Sequence, residues 1–301
     1  MRPAVRAAAA LAASLVLGAT LGAAEFEKIL PAARGTSLDL RLFGGEIAVR
    51  AWARDEVRIR ATHFSTDEID AAAQGQTITV RARARRGQPH AIDFTIDVPA
   101  WMPVAVAGTY LDVSVEGTAA AVTARTVRGD VRVAGGAGEI VLASTEGEVT
   151  LEGGHGRASL ESVNSAVRAN GFEGELVAES VSGTVKLRSV KSASVAASTV
   201  SGDIAWDGAV AAGGRYQLAT HSGDIDLALP DAASATLAVR SFEGHVHSVL
   251  PVKLPDLPAR RKRFTLTLGN GAARIELETF TGTVSLRQET GSGLETQGPR
   301  P

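Results

Sequence analysis

The sequence predicts an all-β chain, built as a parallel β-solenoid of about eight coils of 18–21 residues and capped by an irregular N-terminal β region. Three observations predict it. The phrase Thr126-Val127-Arg128-Gly129-Asp130-Val131-Arg132-Val133 returns at residues 144–151, 162–169, 180–187, 199–206 and 220–227, with degenerate copies at 241–248 and 279–286. A fixed period of this kind marks a stacked repeat architecture. Within each copy a Ser or Thr stands three residues before a Gly (Ser165 in one copy), and apolar residues usually fill the second and fourth places after it, the alternation of a strand with one face buried. Aromatic residues are only 4% of the chain while glycines number 32, so the core must come from Val, Leu, Ile and Ala, with glycine at corners.

The N-terminus reads as an export signal over residues 1–24. Arg2 and Arg6 give a positive start, residues 7–21 are apolar, and Gly22-Ala23-Ala24 offers small residues for cleavage before Glu25. The apolar run is short for a membrane span and rich in Ala, and no other stretch is long and apolar enough to cross. The mature chain is therefore expected outside the cytoplasm, periplasmic or extracellular. It has no cysteine, which excludes disulfides, thiol catalysis and cysteine-ligated zinc. A formal charge of -2 gives no ground for nucleic acid or an anionic membrane surface as partner.

Residues 25–106 form the expected N-terminal β cap. Leu38, Leu40 and Leu42 alternate with polar partners, and Ile47/Val49 and Val57/Ile59 do the same. Gly44-Gly45 and Arg54-Asp55 separate these runs as hairpin turns would. Residues 65–73, which open Ser-Thr-Asp-Glu like a capped first turn, are the one plausible helix. Residues 77–84 and 92–98 are further alternating strands, and Pro99 and Pro103 break the pattern before the repeats.

Residues 107–287 form the repeat region. Between successive copies of the phrase, half-coils such as Ile140/Leu142/Ser144 and Ala158/Leu160/Ser162 carry their own alternation, so each coil is two short strands with inward apolar pairs. Burying four or five modest side chains yields about 1.5–3 kcal/mol each. Ordering the backbone costs about 1–2 kcal/mol per residue. A coil therefore cannot stand alone; stacking satisfies its backbone and aligns like residues in columns. The Ser/Thr column belongs at a corner, where a small hydroxyl bonds the turn of a neighbouring coil. Residues 250–263 carry three prolines and read as an inserted loop, and residues 288–301 as a disordered tail.

Few residues suggest chemistry. Gly135-Gly136-Ala137-Gly138 and Gly153-Gly154-His155-Gly156 are close to a calcium-binding nonapeptide repeat. Its ligand-bearing sixth place, however, holds Ile140, Ala158 and Leu176, which point inward, so no calcium site follows. Stacking by the repeat places His245 over Asp224 and Asp203, and His247 over Asp226, on an outward strip that could hold a borderline divalent metal; the competing reading is a solvated polar face. Asp203, Asp224 and Lys186 are the candidates for glycan-cleaving catalysis, but the equivalents Asp130 and Glu148 are acidic too, which points to solubility. The expectation is thus no catalytic residue, no cofactor and no metal. The basic run Arg260-Arg261-Lys262-Arg263 suits an anionic polymer such as an envelope polysaccharide. Trp206 takes an inward place and belongs to the core.

The chain resembles the bacterial putative-adhesin family of β-strand-repeat proteins, a family of unknown function. Gly45-Glu46-Ile47-Ala48-Val49 with Trp52 and Asp55-Glu56-Val57, the Val98-Pro99 step, and Ser180-Val181-Ser182-Gly183-Thr184-Val185-Lys186-Leu187 carry the resemblance, which spans residues 26–286. It implies a fold and transfers no catalytic residue. The expected role is a non-enzymatic, adhesin-like binding or scaffold protein of the cell envelope, with an envelope polysaccharide or another envelope protein as partner. The rival is a carbohydrate-active or metal-dependent enzyme on the same scaffold.

Overall fold

The computed structural model describes residues 23–64, 66–87, 90–250 and 262–288, and every regular element among them is a β-strand. The strands stack into two walls. The first wall passes from the start of Ser37–Trp52 to the start of Val104–Thr118, then through Val122–Thr126, Ala137–Ser144, His155–Ser162 and Glu173–Ser180. It continues into the ends of Val185–Thr199 and Ile204–Ser222, all parallel. The second wall takes the other halves of those long strands together with Val131–Gly135, Val149–Glu152, Val167–Asn170 and Ile225–Leu229, again parallel.

The registers follow the repeat. Ile140 lies beside Val122 and Ala158, and Ser144 beside Thr126 and Ser162. The inward pairs are buried on both walls, among them Ile140/Leu142, Ala158/Leu160, Val131/Val133 and Val149/Leu151. Trp206 lies in this core, its ring edge-on to Tyr216 at 5.4 Å. Burial pushes the Tyr216 phenol upward in pKa, and its hydroxyl donates to the Ser192 carbonyl at 2.7 Å.

The sheet is mixed rather than purely parallel, because antiparallel strands close both ends. At the N-terminal end, Asp67–Gln74 pairs antiparallel with Thr77–Ala84 on the first wall. On the second, Asp93–Pro99 carries Glu56–Phe64 and then Ala23–Pro31. The expected helix at 65–73 is instead strand over Asp67–Gln74: it pairs residue by residue with Thr77–Ala84, from Asp67 beside Ala84 to Gln74 beside Thr77, and Gly75 (φ 61°) makes the tight turn between them. Gly44-Gly45 is no hairpin turn either. Ser37–Trp52 runs through it from one wall to the other as a coil corner, with Gly45 at φ 120°. Arg54-Asp55 also fails to join a paired hairpin, since Asp93–Pro99 lies between the two strands it connects.

The C-terminal end departs from chain order. Ala273–Thr281 and Thr283–Gln288, the last strands described, pair directly with Ile204–Ser222 and Ile225–Leu229. The earlier strands Ala235–Ser241 and His245–Ser248 pair on their far side. The final coil is thus inserted between two coils that precede it in sequence. Lys262–Leu268 then lies antiparallel against Ala235–Ser241, so Lys262 and Arg263 belong to a strand and not to a loop. Residues 251–261, residues 1–22 of the export signal expected over 1–24, and residues 289–301 of the tail expected over 288–301 lie outside the described residues; Ala23, Ala24 and Gln288 are in strands. No helix among the described residues is long and apolar enough to cross a membrane.

Candidate functional site

Most polar residues of the repeat are used by the fold. The Ser/Thr column is buried at one corner. Ser144, Ser162, Thr199 and Thr220 donate to the corner carbonyl of the preceding coil, on Gly129, Gly147, Gly183 and Gly202, at 2.9–3.1 Å. The Ser144 and Ser162 hydroxyl oxygens also accept from their own corner, from Gly147 N at 2.9 Å and Ser165 N at 3.2 Å. The corner glycines pack so closely that a Cβ on Gly147, Gly183 or Gly223 would fall on the carbonyl oxygen of the coil before. These columns close turns, as expected, and leave no cradle for a ligand.

The candidate catalytic carboxylates form a second structural ladder. Asp203 Oδ1 accepts the amide of Asp224 at 2.9 Å, and Asp224 Oδ1 accepts the amide of Thr283 at 2.6 Å. Asp112 and Asp130 do the same for Asp130 and Glu148 at 2.8 Å. Lys186 stands in another column, between Arg168 and Ala205. Asp203, Asp224 and Lys186 are not brought into one cleft.

The His/Asp strip is also dispersed. His245 pairs with Thr283, and Thr283 holds Asp224, so the inserted coil stands between His245 and Asp224; Ser285 likewise separates His247 from Asp226. Two rungs amount to roughly 9.6 Å, beyond the reach of ligands sharing one ion. Asp226 is instead held by Arg287 Nε at 2.8 and 3.0 Å. Among the described residues no group of three or more His, Asp or Glu side chains could hold a metal.

What remains is a feature the repeat analysis missed. The place after each Ser/Thr faces outward yet is mostly apolar or aromatic: Val127, Thr145, Val163, Val181, Val200, His221, Phe280 and Phe242. Val127, Val181, Val200 and Phe280 are among the exposed large apolar side chains. At the C-terminal end this ridge becomes a ring stack. His221 lies on Phe280 at 4.8 Å and 14°, and Phe242 on the other face of Phe280 at 4.6 Å and 10°. Reading that single column through all the copies would have found it.

Two residues back along each strand runs a second outward column: Ser198, Ala219, Glu278, Arg240 and Arg263, each beside the next. Between the two columns lies a groove of about 770 Å³, floored by small side chains, with Lys262 at its rim. Arg240 and Glu278 approach to 3.6 Å, and Lys262 Nζ donates to the Gly244 carbonyl at 2.7 Å. The groove therefore has one aromatic wall and one wall that is cationic at its end. Arg260 and Arg261 of the basic run lie outside the described residues.

Structures similar in outline, all with low superposition scores, include a putative adhesin of Bacteroides fragilis (11% identity, 87% of this chain and 97% of that one, TM-score 0.43). A putative cell adhesion protein of Clostridium sporogenes is another (11% identity, 89% and 100%, TM-score 0.28). A third is a putative lipid binding protein of Parabacteroides distasonis (10% identity, 87% and 96%, TM-score 0.32). No curated protein matches the chain. The family model described as Toastrack DUF4097 matches residues 36–287, nearly all of the described strands, and the chain belongs to that family.

Proposed function

We propose that the protein is an exported, non-enzymatic scaffold or binding protein of the cell envelope, adhesin-like in presenting long outer walls to a partner. In this reading residues 1–24 are a cleaved export signal, 25–106 the N-terminal cap, 107–287 a solenoid of about eight coils, and 288–301 a tail. The observation that carries it is the fate of the carboxylates. A glycan-cleaving site needs two acids converging on one bond, whereas Asp203 and Asp224 each hold a backbone amide of the following coil. The variable outward places are left for recognition, and fold alone does not name the partner.

The test is binding of the purified protein to a panel of envelope polysaccharides and divalent metals, with release of reducing sugar followed in parallel. Saturable binding to a polymer with no cleavage is the expected outcome. Cleavage abolished by Asp203→Asn or Asp224→Asn would replace this reading with the enzymatic one, and absence of all binding would remove direct adhesion to glycans.

A further inference from the structure

The C-terminal groove has the chemistry of a particular ligand. Its charge is concentrated at one end, where Arg240 and Arg263 stand directly opposite each other across an antiparallel pair, with Lys262 beside them. Like charges so placed repel; Glu278, the acid of this wall, approaches Arg240 to 3.6 Å. An anion seated between the two guanidinium groups relieves that repulsion and gains charge-assisted hydrogen bonds.

Away from this end the groove turns apolar. Ala219 and Ser198 continue this wall with small side chains while Phe280, His221 and Val200 continue the ridge. Beyond Ser198 the same column becomes acidic, with Glu179 and then Glu161. A linear polyanion following the stack would run into these carboxylates. Sugar rings are disfavoured for a second reason: the three stacked rings cover one another's faces and offer the groove mainly their edges. Ring edges carry the positive end of the aromatic quadrupole, which suits an anionic head and the chain attached to it. From Arg263 to Ser198 is four rungs, about 19 Å.

We propose that this groove binds a single-chain anionic amphiphile, with its head between Arg240 and Arg263 and its tail along the edges of Phe242, Phe280 and His221 toward Val200. The inference rests on the reading of the protein as a binding protein and names one ligand class for one of its walls.

The test is titration of the full chain with myristate below its micellar concentration, using myristyltrimethylammonium as the probe with the same tail and the opposite head. One saturable site is expected, weakened about tenfold or more by Arg240→Ala with Arg263→Ala, and by at least as much with the cationic head. Ala219→Trp, which fills the trough without touching a charge, is expected to abolish binding while leaving the thermal transition in place. Arg125→Ala, in the same column but outside the groove, should change nothing. Equal affinity for both heads, indifference to the variants, or no binding of myristate overturns the proposal. Binding of polygalacturonate that needs Arg240 and Arg263, with none of myristate, reassigns the groove to a glycan. Chemical turnover of myristate would sink the non-enzymatic reading and leave the groove as the site; failure of the polysaccharide panel leaves this titration intact.

Discussion

Between Val122 and Ser180 the coils repeat without error, and after Thr199 they do not. In the first region Ala137–Ser144 and His155–Ser162 pair through eight consecutive residues with no shift. In the second, the pairing of Val185–Thr199 with Ile204–Ser222 slips twice, a later coil is inserted between earlier ones, and the outward corner gains three stacked rings. The regular region shows what the fold requires: small corners, buried hydroxyls and inward aliphatics. The irregular region shows what can be added once those needs are met. Recognition is to be sought where the sequence spends residues that stacking does not require.

The sharpest way to break the contrast is at the corners. Gly147→Val drives a side chain onto the Gly129 carbonyl. It should cost about 3 kcal/mol, read as a drop in the denaturation midpoint. Gly153 is selected differently: its φ is positive, 67°, whereas that of Gly147 is not, and a Cβ there meets nothing within 4 Å. Gly153→Ala should therefore cost only about 1 kcal/mol, the conformational term alone. Equal losses would mean that close approach is not what selects glycine at the corner.

The hydroxyl column supplies a smaller test. Ser162 Oγ donates to the Gly147 carbonyl at 2.9 Å and accepts from Ser165 N at 3.2 Å. Ser162→Ala leaves both backbone groups short of a partner and should cost about 2 kcal/mol. Ser241 holds the same place in the displaced coil, yet its buried Oγ has no hydrogen-bond partner. Ser241→Ala should be neutral or slightly stabilising in the same unfolding measurement. The smallest difference is expected on the ridge. Phe280→Ala loses two ring contacts and should cost about 1.5 kcal/mol, against about 0.5 kcal/mol for Val181→Ala, which removes half-exposed methyl groups.

Much of this was legible in the sequence, for a reason that also explains the failures. Alternation and period report which column a residue occupies, so Ile140, Leu160 and Ser162 could be placed correctly from spacing alone. They do not report which coil lies beside which. The copy at residues 279–286 looks like the last rung but stacks directly on the copy at 220–227, and this dismantled the strip of His245, His247, Asp224 and Asp226. The run around Ala71 to Ala73 suits helix by local propensity; pairing with Thr77–Ala84 and burial of Asp67 override it. Gly44-Gly45 has hairpin composition, but a coil corner needs the same backbone freedom, and only the pairing tells them apart. The groove went unread because its walls lie two places apart on four strands whose order the repeat does not encode.

The inserted coil also bears on how the molecule is made. A stack whose order followed the chain could add each rung to a finished neighbour as synthesis or export proceeds. Here Ala235–Ser241 and His245–Ser248 emerge before the strands that separate them from the body of the protein. Until residues 273–288 arrive, Ile204–Ser222 and Ile225–Leu229 expose open sheet edges, the surfaces most prone to wrong pairing. A chain interrupted near residue 250 would therefore have its earlier coils in register and an unfilled slot at the end. Completion of the C-terminus, and with it of the groove, is the step on which a closed stack depends.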